Sequence, residues 1–311
     1  MPNAVERPIT ARTITADEFF AGHKACGGCG GSLAVRLALK VLGPRAFAVL
    51  PAGCMAAVGF IYPQMAFANN AIISTFPGTA SLLSGIAVGA RALGLTDWYA
   101  VGFAGDGGTA DIGLQALSGA IDRNDRLIYV CYDNEAYMNT GVQKSGLTPY
   151  GARSTTTPVG TVWRGSPTRK KNLFEIVAAH GIPYAATASV AFVPDYLRKV
   201  AKAARVNGTS YIHIHAPCPT GWGHATDQTI AVARQAVTSG LWPLAEYEEG
   251  HFILNKKPVP LTPVADYLAA QGRFRHLTRE EIRQIETERD ARWVRILATY
   301  RLPGGDGRPI E

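Results

Sequence analysis

Two apolar segments, each followed at once by a turn that carries a polar side chain, constrain the fold of this chain most strongly. Residues 98–104 run into Gly105-Asp106-Gly107-Gly108-Thr109, and residues 127–132 run into Asp133-Asn134-Glu135-Ala136. The stretch 112–123 between them is amphipathic and rich in small residues, which predicts a helix. Strand, turn, helix and strand in this order predict two parallel strands of an α/β sheet, with both turns at one sheet edge.

The side chains of these two turns favour a metal-bridged phosphate site. The carboxylate of Asp106 and the amide oxygen of Asn134 are hard ligands of the kind that Mg²⁺ prefers beside substrate phosphates. Gly105, Gly107 and Gly108 let backbone N–H groups approach an anion closely at the start of a helix. The alternative is an ordinary tight turn, because Gly-Asp-Gly by itself is common.

Composition restricts the class of protein. The chain has 311 residues, of which 47% are hydrophobic and 18% charged, so it can bury a sizeable core. No apolar run reaches the 18 residues of a membrane span. Residues 1–20 carry polar and charged groups throughout and lack the apolar centre of a secretion signal, so we expect a cytoplasmic protein without membrane contact.

The net charge of +7 comes from dispersed basic residues. The densest group is Arg164, Arg169, Lys170 and Lys171. A nucleic-acid surface needs a longer basic stripe with interleaved aromatic residues, so we expect no nucleic-acid partner. A solvated loop or a docking surface for an acidic protein remains open for this group.

Four of the five cysteines fall in loops where they can meet. Cys26 and Cys29 form a C-x-x-C in a glycine-rich loop, Cys54 follows the apolar run 46–50, and Cys218 follows the strand-like segment 211–215. In a cytoplasmic protein this pattern favours metal or redox chemistry over disulfides. Four thiolates suit either a [4Fe–4S] cluster or a structural zinc ion, and spacing does not decide between them. Cys131 lies within an apolar strand and is expected to be an inert buried thiol.

Taken together, these motifs resemble the beta subunit of the pyruvate:ferredoxin oxidoreductase family, and the pairing of Gly-Asp-Gly with a later Asn resembles the thiamine-diphosphate signature. The resemblance covers residues 20–300. It rests on residues 22–30 (GHKACGGCG), 52–54 (AGC), 105–113 (GDGGTADIG), 131–141 (CYDNEAYMNTG), 168–171 (TRKK), 182–184 (IPY) and 217–222 (PCPTGW).

The resemblance implies three cofactors: thiamine diphosphate, Mg²⁺ and one [4Fe–4S] cluster. It implies that Asp106, Asn134 and the carbonyl of Ala136 hold Mg²⁺. It implies that Cys26, Cys29, Cys54 and Cys218 ligate the cluster. The implied cofactor contacts are Gly53, Cys54, Gly105, Asp106, Gly107, Gly108, Thr109, Asn134, Ala136, Asn139 and Thr140.

The implied reaction is the oxidative decarboxylation of a 2-oxoacid, with release of CO₂ and transfer of electrons through iron–sulfur clusters to ferredoxin. Asn139 is the implied catalytic residue, which orients the substrate oxygens; the alternative is a turn amide that bonds to local backbone. Coenzyme A would be a further substrate if the 2-oxoacid is pyruvate.

The resemblance also implies partners, because one expected part is missing. Thiamine enzymes need a glutamate from a pyrimidine-binding module, and this sequence shows only one Gly-Asp-Gly module. That glutamate is expected on alpha and gamma-type subunits, and a ferredoxin-like delta subunit or domain is expected to carry further clusters. The isolated chain is therefore expected to be inactive.

The substrate is the least constrained property. Pyruvate enzymes of the family carry a Tyr-Pro-Tyr and a Glu-Asn pair after the third cysteine, whereas this sequence has residues 61–70 (IYPQMAFANN) and 74–79 (STFPGT). Loss of the acidic residue makes oxalate, a dianion, a candidate beside pyruvate.

The predicted fold is a thiamine-diphosphate-binding PP-type α/β domain over residues 1–245, with a mostly parallel sheet flanked by helices. Helices are predicted at 33–42, 81–93, 173–180 and 194–204, and residues 143–172 are predicted as a long loop near the cofactor and a partner subunit. Residues 246–311 are predicted as an extension with a hairpin at 247–254 and a helix at 278–300. Two further hypotheses are a non-redox thiamine decarboxylase or synthase subunit and a zinc-stabilised nucleotide-binding module.

Overall fold

The computed structural model describes residues 10, 13–257 and 259–301. Within these ranges the chain forms one eight-stranded sheet. Its strands are β1 (Ala46–Pro51), β2 (Asn70–Ser74), β3 (Tyr99–Gly105), β4 (Leu127–Asp133), β5 (Tyr184–Ser189), β6 (Thr209–His215), β7 (Leu244–Glu248) and β8 (His251–Lys256).

Helices connect the strands and cover both faces of the sheet. They are α1 (Gly30–Leu42), α2 (Cys54–Gly59), α3 (Thr79–Ala92), α4 (Asp106–Ala110), α5 (Leu114–Asp122), α6 (Leu173–Ala178), α7 (Val193–Ala203), α8 (Pro219–Trp222), α9 (Thr229–Thr238), α10 (Val264–Ala269) and α11 (Arg279–Thr299). Short 3₁₀ helices lie at Gly43–Arg45, Thr226–Gln228 and Gly272–Phe274.

The strand order is β2-β1-β3-β4-β6-β5-β7-β8. The first six strands in this order pair in parallel, and β7 and β8 are antiparallel additions at one side. The carboxyl ends of β1, β3, β4 and β6 are therefore neighbours at one edge. Open α/β sheets bind ligands at this edge.

The alternating residues of β4 divide between two hydrophobic cores. Ile128, Val130 and Tyr132 pack into the core that α1 and α7 cover. Leu127, Tyr129 and Cys131 pack into the opposite core with α3, α5 and α6. Because both faces are covered, the strand is a continuous apolar run, which is typical of parallel sheets.

The elements predicted from sequence are present, with shifts of one to three residues at their ends. Helix α1 begins three residues before the predicted 33–42, because Cys29 caps it: the Ser32 N–H lies 3.4 Å from Cys29 Sγ. Residues 134–172 contain no helix or strand, as predicted. Helix α11 begins at a capping box in which Thr278 and Glu281 bond to each other's backbone N–H.

The C-terminal hairpin and helix are integrated with the sheet. Strand β7 pairs with β5 and runs across position 245, and Trp293, Ile296 and Tyr300 of the C-terminal part belong to the same core as α3 and α5. The division into a domain at 1–245 and an extension at 246–311 stays a prediction. Residues 302–311 of that extension lie outside the described ranges. In the described part of the chain, we find no helix that combines the length and the apolar character needed to span a bilayer.

Replacement of glycine by alanine at two positions tests the packing of β3 against α3. A Cβ at Gly102, in the middle of β3, would lie 2.7 Å from Leu83 Cδ1 and 2.8 Å from Thr79 Cγ2 of α3. A Cβ at Gly89, on the exposed side of α3, would meet nothing within 4 Å. We expect Gly102→Ala to lower the free energy of unfolding by about 1–3 kcal/mol. We expect Gly89→Ala to raise it by about 0.5–1 kcal/mol, because alanine loses less backbone entropy in a helix.

Urea unfolding of both variants against the wild type measures these changes. Equal effects of the two substitutions would contradict the packing of β3 against α3.

Candidate cofactor and cluster site

Four loops meet at the carboxyl edge of the sheet because the strands that precede them are adjacent. They carry Cys54 after β1, Asp106 after β3, Asn134 after β4 and Cys218 after β6. The loop with Cys26 and Cys29 joins them, since the N–H of Gly30 donates to the carbonyl of Pro217 at 3.1 Å. The structure thus brings the predicted metal and cysteine residues to one edge.

Oxygen atoms from three residues converge at the centre of this edge. When the amide oxygen of Asn134 faces its neighbours, it lies 2.9 Å from Asp106 Oδ1 and 3.0 Å from the carbonyl oxygen of Ala136. The opposite amide orientation puts the nitrogen there and turns both contacts into hydrogen bonds. Adjacent ligands of an octahedral Mg²⁺ with bonds of 2.0–2.1 Å lie about 2.9 Å apart. The two distances from the Asn134 amide therefore match the separation of neighbouring Mg²⁺ ligands.

Asp106 is buried, with 1% of its surface exposed, and Ser145 Oγ donates a hydrogen bond to its Oδ2. Burial and the negative charge of Asp133 raise the pKa of Asp106 well above its usual value. A buried carboxylate of this kind gains stability from a cation beside it. Because this hydrogen bond uses Oδ2, the other carboxylate oxygen, Oδ1, faces the amide of Asn134.

The turn that carries Asn134 and Ala136 is held in an unusual backbone conformation. Glu135 has φ +64°, in the left-handed region that side chains other than glycine rarely adopt. Its carbonyl accepts a hydrogen bond of 2.6 Å from Thr148 Oγ1, and its carboxylate pairs with Lys170 and Arg273. These contacts stabilise the turn that directs the Ala136 carbonyl toward Asn134.

A buried charge network lies behind the turn. Lys170 Nζ is 2.6 Å from Asp133 Oδ2 and 2.7 Å from Glu135 Oε1, and His213 Nε2 is 2.8 Å from Asp133 Oδ2. Burial opposes the charges, yet Lys170 and His213 lower the pKa of Asp133 on balance. The two carboxylates likewise raise the pKa of Lys170. The network therefore stays ionised and keeps the turn in place.

A cleft beside the convergent oxygens contains most of the predicted cofactor contacts. It is lined by Ala52, Gly53, Cys54, Phe76, Gly105, Gly107, Gly108, Tyr132, Asn134, Ala136, Tyr137, Met138, Asn139 and Thr140. Gly107 has no room for a side chain, since a Cβ would lie 2.5 Å from the Tyr137 ring. Backbone N–H groups at this position can therefore approach a bound anion closely.

Among the predicted contacts, Asp106 and Thr109 do not line the cleft, and Asn139 and Thr140 lie at its exposed side. Asn139 and Thr140 are exposed at the cleft, and within the described ranges the amide of Asn139 makes no hydrogen bond, so it is available to a ligand. Thr109 does not line the cleft. Its hydroxyl donates to the carbonyl of Gly105 at 2.8 Å and lies 3.3 Å from Tyr129 Oη on the side of the second core.

The four loop cysteines lie near one another, and Cys131 is apart from them. Burial, together with the charges of Cys29, Cys218, Asp106 and Cys26, raises the pKa of Cys54 to about 12. Burial raises the pKa of Cys218 to about 11, with Cys29 and Cys26 adding to the effect. Such thiols gain from a metal that binds the thiolate form. All five cysteines are free thiols, and Cys131 is fully buried.

The described side chains form no ready-made site for a single metal ion. No three His, Cys, Asp or Glu side chains in the part of the chain that the structure describes are close enough to hold one metal ion. Tetrahedral zinc with Zn–S bonds of about 2.3 Å needs sulfurs about 3.8 Å apart. A [4Fe–4S] cluster binds one thiolate at each of four irons and so takes a wider set.

Tyr132 lies between the cysteine loops and Asp106. A Cβ at Gly31, two residues after Cys29, would lie 3.3 Å from its ring, and one at Gly53 would lie 3.7 Å from its hydroxyl. A Cβ at Gly105 would lie 3.4 Å from the same ring. One buried aromatic ring therefore separates the two parts of the site.

Each residue of the basic cluster is paired with a carboxylate within the chain. Arg164 pairs with Glu281, Arg169 with Glu288, Lys170 with Asp133 and Glu135, and Lys171 with Asp111. The sequence does not reveal this, because the acidic partners are up to 119 residues away in the chain.

Comparisons with known proteins decide the family. The family described as thiamine pyrophosphate enzyme, C-terminal TPP-binding domain, matches residues 51–214. The chain is 50% identical over 274 residues to pyruvate synthase subunit PorB of Methanothermobacter thermautotrophicus, covering 88% of this chain and 95% of that protein. It is 45% identical over 307 residues to ketoisovalerate oxidoreductase subunit VorB of Pyrococcus horikoshii, covering 95% and 97%. This chain belongs to the beta subunits of the 2-oxoacid:ferredoxin oxidoreductases.

A solved structure shows the same fold for this beta subunit. A chain of the 2-oxoglutarate:ferredoxin oxidoreductase from Magnetococcus marinus superimposes with a TM-score of 0.57 at 21% identity, over 67% of this chain and 70% of that chain. The predicted PP-type α/β fold is confirmed. The subunit is part of an oxidoreductase and carries a thiamine-pyrophosphate-binding domain.

Sequence reasoning missed the groups that surround the metal turn of this beta subunit. They are Ser145, Thr148, Lys170, His213, Trp222 and Arg273. Lys170 was visible only as one residue of a basic run. The polar alternation of His213 and His215 in an otherwise apolar strand was the one local signal of a buried network.

The dependence of the free energy of unfolding on acidic pH tests the burial of His215 beside this network. Burial lowers its pKa to about 4. The unfolded chain has the ordinary value near 6.5, so it binds more protons than the folded chain between these values, and stability falls as the pH falls through this window. We expect His215→Phe to reduce that fall by roughly 3 kcal/mol. Urea unfolding from pH 7 to pH 4 measures the slope, and an unchanged slope in the variant would contradict the burial of a neutral imidazole.

Proposed function

We propose that this chain is the catalytic beta subunit that binds thiamine diphosphate, Mg²⁺ and one [4Fe–4S] cluster in a multi-subunit 2-oxoacid:ferredoxin oxidoreductase. The approach of Asp106 Oδ1 and the Ala136 carbonyl oxygen to the Asn134 amide, at distances that suit neighbouring Mg²⁺ ligands, carries this proposal. The neighbouring cysteines support the redox part, because a non-redox thiamine enzyme has no use for four thiols at the same edge.

The residues of the chain have separate roles in this proposal. Asp106, Asn134 and the carbonyl of Ala136 hold the metal, and Gly105, Gly107 and Gly108 admit the diphosphate at the start of α4. When bound, thiamine diphosphate supplies the electron sink for decarboxylation. Asn139, exposed at the cleft with a free amide, orients the substrate oxygens. Thr109 supports the turn through its bond to Gly105 and does not contact the cofactor by its side chain.

Cys26, Cys29, Cys54 and Cys218 hold the cluster in this proposal. The charges of Cys29, Cys218 and Cys26 all act on Cys54, which supports a shared site for the four thiols. A cluster here lies next to the cofactor cleft, since Cys54 lines that cleft, so electrons have a short route away from the cofactor. Free thiols and bound cluster both suit the reducing cytoplasm that we propose as the compartment.

Variants that lose either the cluster or the Mg²⁺ and thiamine diphosphate, but not both, test the assignment. In the co-purified complex we expect Cys26→Ala to lose the cluster's visible absorbance while it still binds Mg²⁺ and thiamine diphosphate. We expect Asp106→Asn to show the reverse, because it removes one metal oxygen and no thiol. Cys131→Ala is the matched control and keeps both, since Cys131 is buried on the other face of the sheet.

Analysis of iron and acid-labile sulfide gives the stoichiometry. We expect about four irons for each bound cluster assigned to this subunit. Loss of thiamine diphosphate together with the cluster in Cys26→Ala, or zinc in place of iron, would contradict the assignment.

For the substrate we propose a 2-oxoacid of the pyruvate or ketoisovalerate type, because these acids name the enzymes of the two relatives. Coenzyme A is then the acyl acceptor. Oxalate names neither relative. Of the two segments that suggested it, residues 61, 62, 64 and 65 are exposed and do not line the cleft, whereas Phe76 does line it.

A substrate panel on the complex tests this choice. We expect pyruvate or ketoisovalerate to reduce viologen or ferredoxin at least tenfold faster than oxalate or 2-oxoglutarate, a difference of about 1.4 kcal/mol in the barrier. Faster turnover of oxalate would restore the oxalate prediction. Partner subunits that supply the pyrimidine-binding glutamate and further clusters belong to the same proposal, and the isolated chain should show no turnover.

A further inference from the structure

The indole of Trp222 connects a cysteine loop to the metal turn. Helix α8 begins directly after Cys218, whose sulfur caps it by accepting from the N–H of Gly221 at 3.4 Å. Trp222 ends that helix, is fully buried, and donates a hydrogen bond of 2.7 Å from Nε1 to the carbonyl of Asn134. One short helix thus has a cysteine at its start and a contact to the metal turn at its end.

Arg273 strengthens this connection. Its guanidinium lies 3.8 Å from the centre of the Trp222 ring and pairs with the carboxylate of Glu135. Arg273 is itself buried, with 3% exposed, and its Nε donates to Gln271 Oε1 at 3.0 Å. Trp222 and Glu135 are therefore held by the same side chain.

The hydrogen bond from Trp222 to the Asn134 carbonyl acts on the turn that carries two of the proposed metal ligands. The Asn134 carbonyl belongs to the peptide that joins Asn134 to Glu135, and Glu135 holds the strained φ of +64°. Rotation of that peptide would move both the amide of Asn134 and the carbonyl of Ala136. Without a partner the buried carbonyl would also lose a hydrogen bond, which favours such a rotation.

We propose that Trp222 is a positioning residue for the metal, which fixes the Asn134–Ala136 turn and holds it at a set place relative to Cys218. This inference rests on the proposed function, because it assumes that the turn binds Mg²⁺. It assigns Trp222 no contact with substrate or cofactor. Outer-shell partners of this kind change metal affinity by about 10- to 100-fold when they are removed.

The test compares two tryptophans in the intact complex. Trp222→Phe removes the indole N–H. Trp293→Phe is the matched control, because Trp293 is also buried and donates from Nε1 to a backbone carbonyl, that of Gly240, at 2.8 Å, but in the core under α11. Binding of Mn²⁺, as a paramagnetic probe of the Mg²⁺ site in the presence of thiamine diphosphate, is followed by electron paramagnetic resonance. Iron content and thermal unfolding are measured on the same samples.

We expect Trp222→Phe to weaken Mn²⁺ binding about tenfold, while Trp293→Phe binds as the wild type does. Both variants should retain iron, and both should unfold at a lower temperature than the wild type. Only their affinity for Mn²⁺ should then distinguish them. Equal Mn²⁺ affinity in Trp222→Phe and the wild type would overturn the positioning role. So would an equal loss of affinity in both variants, because it would reflect general destabilisation.

If Trp222→Phe does not fold, replacement of Trp222 by 3-benzothienylalanine removes only the N–H, since sulfur takes its place in a ring of nearly the same shape. The same tenfold loss is expected, and unchanged affinity would overturn the proposal. Failure of the proposed function has a different result: the wild-type complex itself would then bind no Mn²⁺ with thiamine diphosphate.

Discussion

Oxygen atoms that face one another in a buried site repel unless a cation or a proton lies between them. Asp106, Asn134 and Ala136 place three such atoms together, and the sheet places them at the meeting point of β3 and β4. In the absence of a cation the Asn134 amide can relieve the repulsion by presenting its nitrogen. A bound Mg²⁺ instead requires the amide oxygen on this side.

The surrounding residues hold these oxygen atoms together despite their mutual repulsion. Glu135 is held in a left-handed conformation by hydrogen bonds and ion pairs on both its backbone and its side chain. The carboxylate of Asp133, which would otherwise repel Asp106, pairs with the Lys170 ammonium and accepts a hydrogen bond from His213, whose pKa burial lowers. Most of the buried charged side chains at this edge therefore stabilise the backbone turn and are not themselves proposed to bind the ligand.

Sequence order and residue type predicted the fold and the meeting of Asp106 and Asn134 at one sheet edge, because both follow from local rules, whereas the Ala136 carbonyl was implied only by the family resemblance. Strands with apolar residues on both faces, joined by helices, form a parallel sheet, and the turns after β3 and β4 then meet at one edge. The supporting groups did not follow from the sequence. Arg273 lies 138 residues from Glu135 in the chain, and only the packing of α8 and the Gly272–Phe274 turn brings them together. Thr109, a residue of the motif, has its hydroxyl bonded to the backbone of Gly105, and its contact with the cofactor stays a prediction.

The central claim is that the three oxygens hold the metal of a bound diphosphate. Electron spin-echo spectroscopy of the complex loaded with Mn²⁺ and thiamine diphosphate tests it most directly, because phosphorus nuclei next to the metal modulate the echo. We predict a ³¹P coupling in the wild type and its loss in Asp106→Asn. Bound Mn²⁺ without a ³¹P coupling in the wild type, or the same coupling in Asp106→Asn, would contradict the claim.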